Sequence, residues 1–169
     1  MKYIFVEGND DSYFINNLIK NKIDVKIIEY AQKKKEKING FIKTIKDMHE
    51  EYVLLADLDG KYEHVRREEL IQKYNNLDPQ KIYFSIQEIE SWYLSGISDN
   101  FIDKYGVKSR ILLNTQNVNK EMFERLFKHN KETIMEVKLN LITEFDVEKA
   151  KIRNNSFNQF IEDCIWLFS

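Results

Sequence analysis

Acidic side chains fall at three places along the chain where a strand-like run gives way to a turn. Glu7 follows residues 3–6, Asp57 and Asp59 follow residues 52–56, and Glu88 with Glu90 follow residues 81–86. Carboxylates gathered at one edge repel one another, and a hard, oxygen-seeking cation such as Mg2+ offsets that repulsion. Such an ion is commonly held by one or two carboxylates, with water and substrate phosphate completing its shell. Residues two apart on a strand share a face, so Asp57 and Asp59 could hold one ion while Leu58 packs away from it. Each acid also has an ordinary reading. Glu7 suits a helix cap or a solvated turn, Asp57-Leu58-Asp59-Gly60 is common turn chemistry, and Glu88 and Glu90 suit the first turn of a helix, where the dipole favours them. Their coincidence at one sheet edge makes them a candidate site.

That edge requires a sheet. Residues 3–6 form a short apolar run stopped by Glu7-Gly8-Asn9-Asp10-Asp11, which combines turn residues with a helix cap. From Asp11 the spacing of Tyr13, Phe14, Leu18 and Ile19 predicts a helix to about residue 22, followed by a strand over 25–30. A helix over 33–51 would bury Ile38, Ile42, Ile45 and Met48. Residues 52–56 are apolar without a break, as in a parallel strand covered on both faces. A helix over 64–74, a strand over 81–86 and a helix carrying Trp92 complete the alternation. The expectation is an α/β fold: a mostly parallel four-stranded sheet flanked by helices, with right-handed crossovers and its site beyond the carboxyl ends of the strands. After Gly96 strand signals fade. Residues 101–113 are ambiguous, and 120–129, 133–145 and 156–168 read as helices. The chain is thus expected to have an α/β core over 1–96 and a helical C-terminal extension over 97–169 packed on it as one compact domain.

Composition narrows the function classes. The 169 residues are 43% apolar and 13% aromatic, enough for a packed core. Lys and Arg number 26 against 28 Asp and Glu, a net charge of -2, so no global positive field attracts nucleic acid or an anionic membrane. A polyanion must be met by a local patch. A single cysteine, Cys164, can build neither an internal disulfide nor a zinc or redox pair, which points to a reducing compartment. No run of ~18 apolar residues predicts a membrane span, and the apolar start is too short for a signal peptide. A cytoplasmic protein without a membrane partner is expected. His49, His64 and His129 lack zinc-ligand spacing. Lys33-Lys34-Lys35-Glu36-Lys37, continued by Lys43 and Lys46, is the densest basic stretch and suits either phosphate neutralisation or a solvated helix face. Arg66 and Arg67 follow the loop of Asp57 and Asp59 and are better placed to reach a phosphate held there, though their alternation with Glu68 and Glu69 is that of ordinary surface pairs and does not rank them as catalytic. Trp92, Tyr93, Trp166 and Phe168 could stack bases, but aromatics at helical spacing more commonly belong to a core.

Val6-Glu7-Gly8, Asp57-Leu58-Asp59 and the helices between them resemble the TOPRIM fold of topoisomerases, bacterial primases and OLD-family nucleases, over roughly residues 1–95. Glu7-Gly8-Asn9-Asp10-Asp11-Ser12-Tyr13-Phe14, the segment from Ser85 to Leu94, and the stretch from Lys149 to Phe157 are similar to small stand-alone TOPRIM proteins of the RloB-like and OLD-like type. The resemblance implies a metal-dependent phosphodiester site, that is, a nuclease possessing Mg2+ or Mn2+, with nucleic acid (DNA before RNA) as partner and a role in defence against mobile DNA. Glu7 would be a general acid/base or metal ligand, and Asp57 and Asp59 would bind Mg2+. Glu90, with Glu88, would complete a second metal position, two ions ~4 Å apart stabilising the attacking and leaving oxygens. OLD-type nucleases also place a later lysine near the scissile phosphate, a role that would fall to Lys138. Because the chain carries no ATPase domain, the resemblance also implies a homodimer or a separately encoded ATPase partner.

Two further readings compete. In the first, the same pocket binds a nucleotide or a partner without catalysis, which the balanced charge favours. In the second, Leu54-Leu55-Ala56-Asp57-Leu58-Asp59-Gly60 resembles the start of a haloacid-dehalogenase phosphatase. That family needs a later strand ending in a second acidic pair, which nothing after residue 96 supplies. An EF-hand loop from Asp57 to Glu68 fails because its turn glycine would stand at Tyr62.

Overall fold

Uninterrupted apolar runs become interior strands. The computed structural model, which describes residues 1–20 and 24–167, contains β1 (Lys2–Val6), β2 (Val25–Glu29), β3 (Glu51–Asp57) and β4 (Ile82–Ser85). They form one all-parallel sheet in the order β2-β1-β3-β4. Tyr52, Val53, Leu54, Leu55 and Ala56 of β3 are all buried, as expected of a parallel strand covered on both faces. β1 lies between β2 and β3, with Ile4 opposite Ile27 on one side and Val53 on the other. The α/β class expected from the alternation is the one observed.

Local chemistry sets the helix limits. α1 (Asn9–Leu18) begins where Asp11 reaches back to accept from the Gly8 N–H at 3.1 Å, an acid in the first turn of a helix. It ends at Leu18, four residues short of the expected limit, and residue 22 lies outside the described residues. α2 (Lys35–Asp47) buries Ile38, Ile42 and Ile45 as expected, but Met48 is the C-cap residue and is 55% exposed. The predicted stripe therefore stops one turn early, because the chain leaves the helix before Met48 can turn inward. α3 (Glu63–Lys73) follows β3.

The chain divides into two compact units, residues 1–84 with Leu167, and residues 85–166. The second unit is helical: α4 (Glu90–Ser95), α5 (Asp99–Tyr105), α6 (Lys120–Phe127), α7 (Ile134–Thr143), α8 (Val147–Arg153) and α9 (Asn155–Asp163). The ambiguous stretch resolves into α5 and a 3-10 turn over Ser109–Leu113. α4 packs against α6, α7 and α8 and so belongs with the C-terminal helices. Ser98, Asn119, Thr133, Asp146 and Asn154 each cap a helix with a side-chain oxygen. Trp92 and Tyr93 are core residues, Trp92 meeting the Phe157 ring edge-on at 5.4 Å; Phe168 lies outside the described residues. Asn154 closes α8 and opens α9, and its amide also donates to Ser91 O and Thr115 Oγ1. Among the described residues, no helix is long and apolar enough to cross a membrane.

Candidate functional site

The strand order places the topological switch point between β1 and β3. β1 leads through α1 to one neighbour, and the chain then crosses to the other; in open parallel sheets ligands bind beyond the carboxyl ends of the strands at such a point. Glu7 is the first residue after β1, and Asp57 is the last of β3. Three donors converge on Glu7 Oε2: the Asp57 N–H at 3.4 Å, the Tyr30 hydroxyl at 3.5 Å and the Arg66 guanidinium at 3.5 Å. All three distances exceed the 2.7–3.2 Å of a settled hydrogen bond, so the carboxylate is ringed by donors without being tightly bound to any. Arg66 also donates through Nε to Asp57 O at 3.1 Å and pairs with Glu69 at 3.3 Å. One guanidinium thereby ties the ends of β1 and β3 to the first turn and a half of α3.

Asp59 arrives by a different route from the one strand alternation predicts. β3 ends at Asp57, and Asp59 and Gly60 both have positive φ, +50° and +75°. The Lys61 N–H closes this turn onto Leu58 O at 2.9 Å, with the paired positive φ values of a type I′ turn. Asp and Gly are the residues that tolerate this conformation, so the Asp-Leu-Asp-Gly motif is spent partly on turning the chain. Asp59 still belongs to the edge, because its charge acts on Arg66. Among the described residues, no three His, Cys, Asp or Glu side chains form a group that could hold a metal ion, so Glu7, Asp57 and Asp59 do not converge as a triad.

Burial and charge tune the neighbours of Glu7. Tyr30 is 2% exposed, and burial, then the Glu7 carboxylate, holds its phenol well above the ordinary tyrosine range. Burial opposes the charge on Arg66, but Tyr30, Glu7, Glu69 and Asp59 more than offset it and raise the guanidinium above its usual value. The edge thus holds a protonated phenol and a fixed cation beside an acid. Nothing in the sequence marks Tyr30 as a site residue, whereas Arg66 is one of the two arginines placed to reach a phosphate at the loop. Arg66 had a positional signal: it is the fourth residue of the helix that leaves β3, where a side chain can return to the strand end.

The remaining expected site residues lie in the second unit, each with a partner there. Glu90 is 3% exposed and accepts from Lys138 Nζ at 2.7 Å. Lys138, itself 2% exposed, lies over the Tyr93 and Phe123 rings at 5.3 and 5.7 Å. Neither a solvated helix lysine nor an accessible one fits this enclosure, in which an ammonium is held by one carboxylate and two aromatic faces. Glu88 accepts from the N–H of Lys120, the first residue of α6, as an acid at a helix N-terminus does. The structure therefore brings Glu7, Asp57 and Asp59 to one edge, joins Glu90 to Lys138, and sets Glu88 on α6. Comparison of the chain with models of known protein families, with curated proteins and with solved structures finds no match.

Proposed function

We propose that the β1/β3 edge is a phosphodiester-processing site dependent on a divalent cation, acting on nucleic acid with DNA as the first candidate, and of the TOPRIM type. The observation that carries this reading is the meeting of Glu7 Oε2 with the Asp57 N–H at 3.4 Å, across 50 residues of sequence and at the switch point of the sheet.

The donor set is a pair of acids with a third nearby, which fits Mg2+ or Mn2+, since such ions take one or two carboxylates and complete their shell with water and phosphate. Glu7 and Asp57 would hold the ion. When bound, it polarises a phosphoryl oxygen and acidifies a coordinated water. The chain's own groups supply the rest. Arg66 presents a planar fork suited to a phosphate, the Tyr30 phenol stays protonated and donates, and a Glu7 oxygen not engaged by the ion would take a proton from the attacking water as the P–O bond to the leaving oxygen breaks and solvent protonates that oxygen. The roles that the resemblance gives Glu88, Glu90 and Lys138 would each require release of a present partner, the Lys120 N–H from Glu88 and Lys138 from Glu90. A defence role, and a homodimer or separately encoded ATPase partner, rest on the resemblance alone.

A second reading, a nucleotide- or partner-binding module without catalysis, is favoured by Arg66. Its guanidinium already faces Glu7 and gives the edge an internal cation. Incubating the protein with plasmid or single-stranded DNA and Mg2+ or Mn2+ separates the two. The catalytic reading expects metal-dependent nicking that falls by about a hundredfold or more in both Glu7→Gln and Asp57→Asn. Nucleotide binding that depends on Mg2+, with no cleavage in any variant, supports the module and overturns the nuclease.

A further inference from the structure

We infer that the open edge of β2 is a docking site for an acidic, extended peptide segment of a partner protein, which adds a fifth strand to the sheet. β2 stands at the end of the strand order and pairs only with β1, so among the described residues no strand meets its outer row of N–H and C=O groups. Such an edge is a ready template for another strand. Beside it runs a groove of about 430 Å3 lined along the strand by Lys26, Ile27, Ile28 and Glu29, and across it by one face of α2. That face carries Phe41, Ile45 and Met48 at helical spacing, with Phe41 37% and Met48 55% exposed. An added strand finds main-chain partners on β2 and an apolar floor for alternate side chains.

The charge of the rim selects the occupant. Lys26 and Lys33 line the groove, and Lys34, Lys35 and Lys37 follow at the start of α2. None of these five forms an ion pair with a described residue, although Lys43 on the same helix pairs with Asp47, and Lys37 lies 5.8 Å from the Phe41 ring centre. Against them stand Glu29 and Glu36. A lysine on an exposed edge repels basic strands and welcomes acidic ones. A second copy of this chain pairing edge to edge about a two-fold axis would set this basic stretch against itself. A nucleic acid would satisfy the lysines but lacks the alternating donor and acceptor row that a strand edge pairs with.

The test uses a fluorescein-labelled peptide of about eight residues, alternating Glu and Val, against the full chain by fluorescence anisotropy. Saturable binding is expected, weakened by about tenfold or more when alternate peptide amides are N-methylated, and similarly in a Lys26→Glu, Lys33→Glu double variant whose melting temperature matches wild type. A Lys-Val peptide should not bind, and Glu7→Gln should leave the affinity unchanged, which keeps this test separate from the phosphodiester reading. Equal binding of the N-methylated peptide would reduce the site to bulk charge and overturn the inference. So would absence of binding by the parent peptide, or a labelled single-stranded oligonucleotide that binds through Lys26 and Lys33 where the peptide does not.

Discussion

Lys138 Nζ stands 2.7 Å from Glu90 Oε1, and the two side chains are only 3% and 4% exposed, so an ion pair joins α7 to α4 away from solvent. Removing one member of such a pair strands the other charge in a medium that solvates it poorly. Lys138→Met is therefore expected to lower stability by about 3–5 kcal/mol, and Glu90→Gln by a similar amount. Replacing both with Met and Leu should recover most of the loss, because the cost lies in the orphaned charge more than in the lost attraction. Urea denaturation of the single and double variants checks this, and strictly additive losses would contradict it.

Gly96 and Phe145 make a second test. A Cβ at Gly96 would collide with the Phe145 ring, and the backbone there is closed further by the Asp146 N–H donating to Gly96 O at 2.8 Å. The ring cannot swing aside freely, because it also meets Phe157 at 5.7 Å. Gly96→Ala should cost about 1–3 kcal/mol through overpacking, and adding Phe145→Leu should return part of it. Thermal melts of the two variants decide the point; an unchanged Tm for Gly96→Ala would show that the collision is relieved at no cost.

Arg153 acts at the same C-terminal end of α4, beside Gly96. Its guanidinium donates to Ser95 O at 3.1 Å and Ile97 O at 2.9 Å, satisfying carbonyls that the helix end leaves open. Hydrogen bonds from a charged donor are each worth about 1.5–3 kcal/mol, so Arg153→Met, which removes two at a half-buried site, should lower the unfolding free energy read from urea denaturation by up to about 6 kcal/mol. Both bonds come from Nη1, and Arg153→Lys should recover only part, since a compact ammonium on a flexible stem is held at the two carbonyls less rigidly than the planar guanidinium. Full recovery by lysine would mean that charge alone matters.

The alkaline limb of stability should carry the signature of Tyr30. Burial first, and Glu7 second, raise its pKa in the folded chain, so the fold favours the neutral phenol. Below about pH 10, where an unfolded tyrosine is also protonated, this contribution is fully present. Above that pH the unfolded chain releases the proton while the folded one retains it, and the contribution is lost as pH rises through the raised value. Burial raises Tyr52 in the same direction, so Tyr30→Phe should flatten only part of the slope. Urea midpoints from about pH 8 to about pH 12 measure it, and an unaltered slope would exclude Tyr30 as a contributor.

The sheet was legible because parallel strands buried on both faces announce themselves as unbroken apolar runs, as residues 52–56 do, and because short turns rich in Gly and Asp separate them. The first half of the site followed from topology: once β1 and β3 are neighbours, Glu7 and Asp57 have to meet. Tertiary choices were hidden. The partner of Lys138 lies 48 residues away, and nothing in Glu136-Val137-Lys138-Leu139 marks the lysine as buried. Arg66 and Arg67 were visible beside the loop, but Arg66-Arg67-Glu68-Glu69 has the pattern of a solvated helix, and only the three-dimensional course of α3 turns the first guanidinium toward Glu7 and the strand ends. Asp59 misled by type, an acid in a left-handed turn whose conformation breaks the strand alternation that would have paired it with Asp57.

Arg66 Nε, by returning to the carbonyl oxygen of Asp57, closes residues 57–66 into a ring fastened by a side chain. A ring of this sort has a fixed circumference. A point change at the exposed Tyr62 leaves the clasp engaged, whereas inserting or deleting one residue there would rotate Arg66 away on α3 and unfasten it. Outside the left-handed pair Asp59 and Gly60, the segment is thus permissive of composition and strict about length.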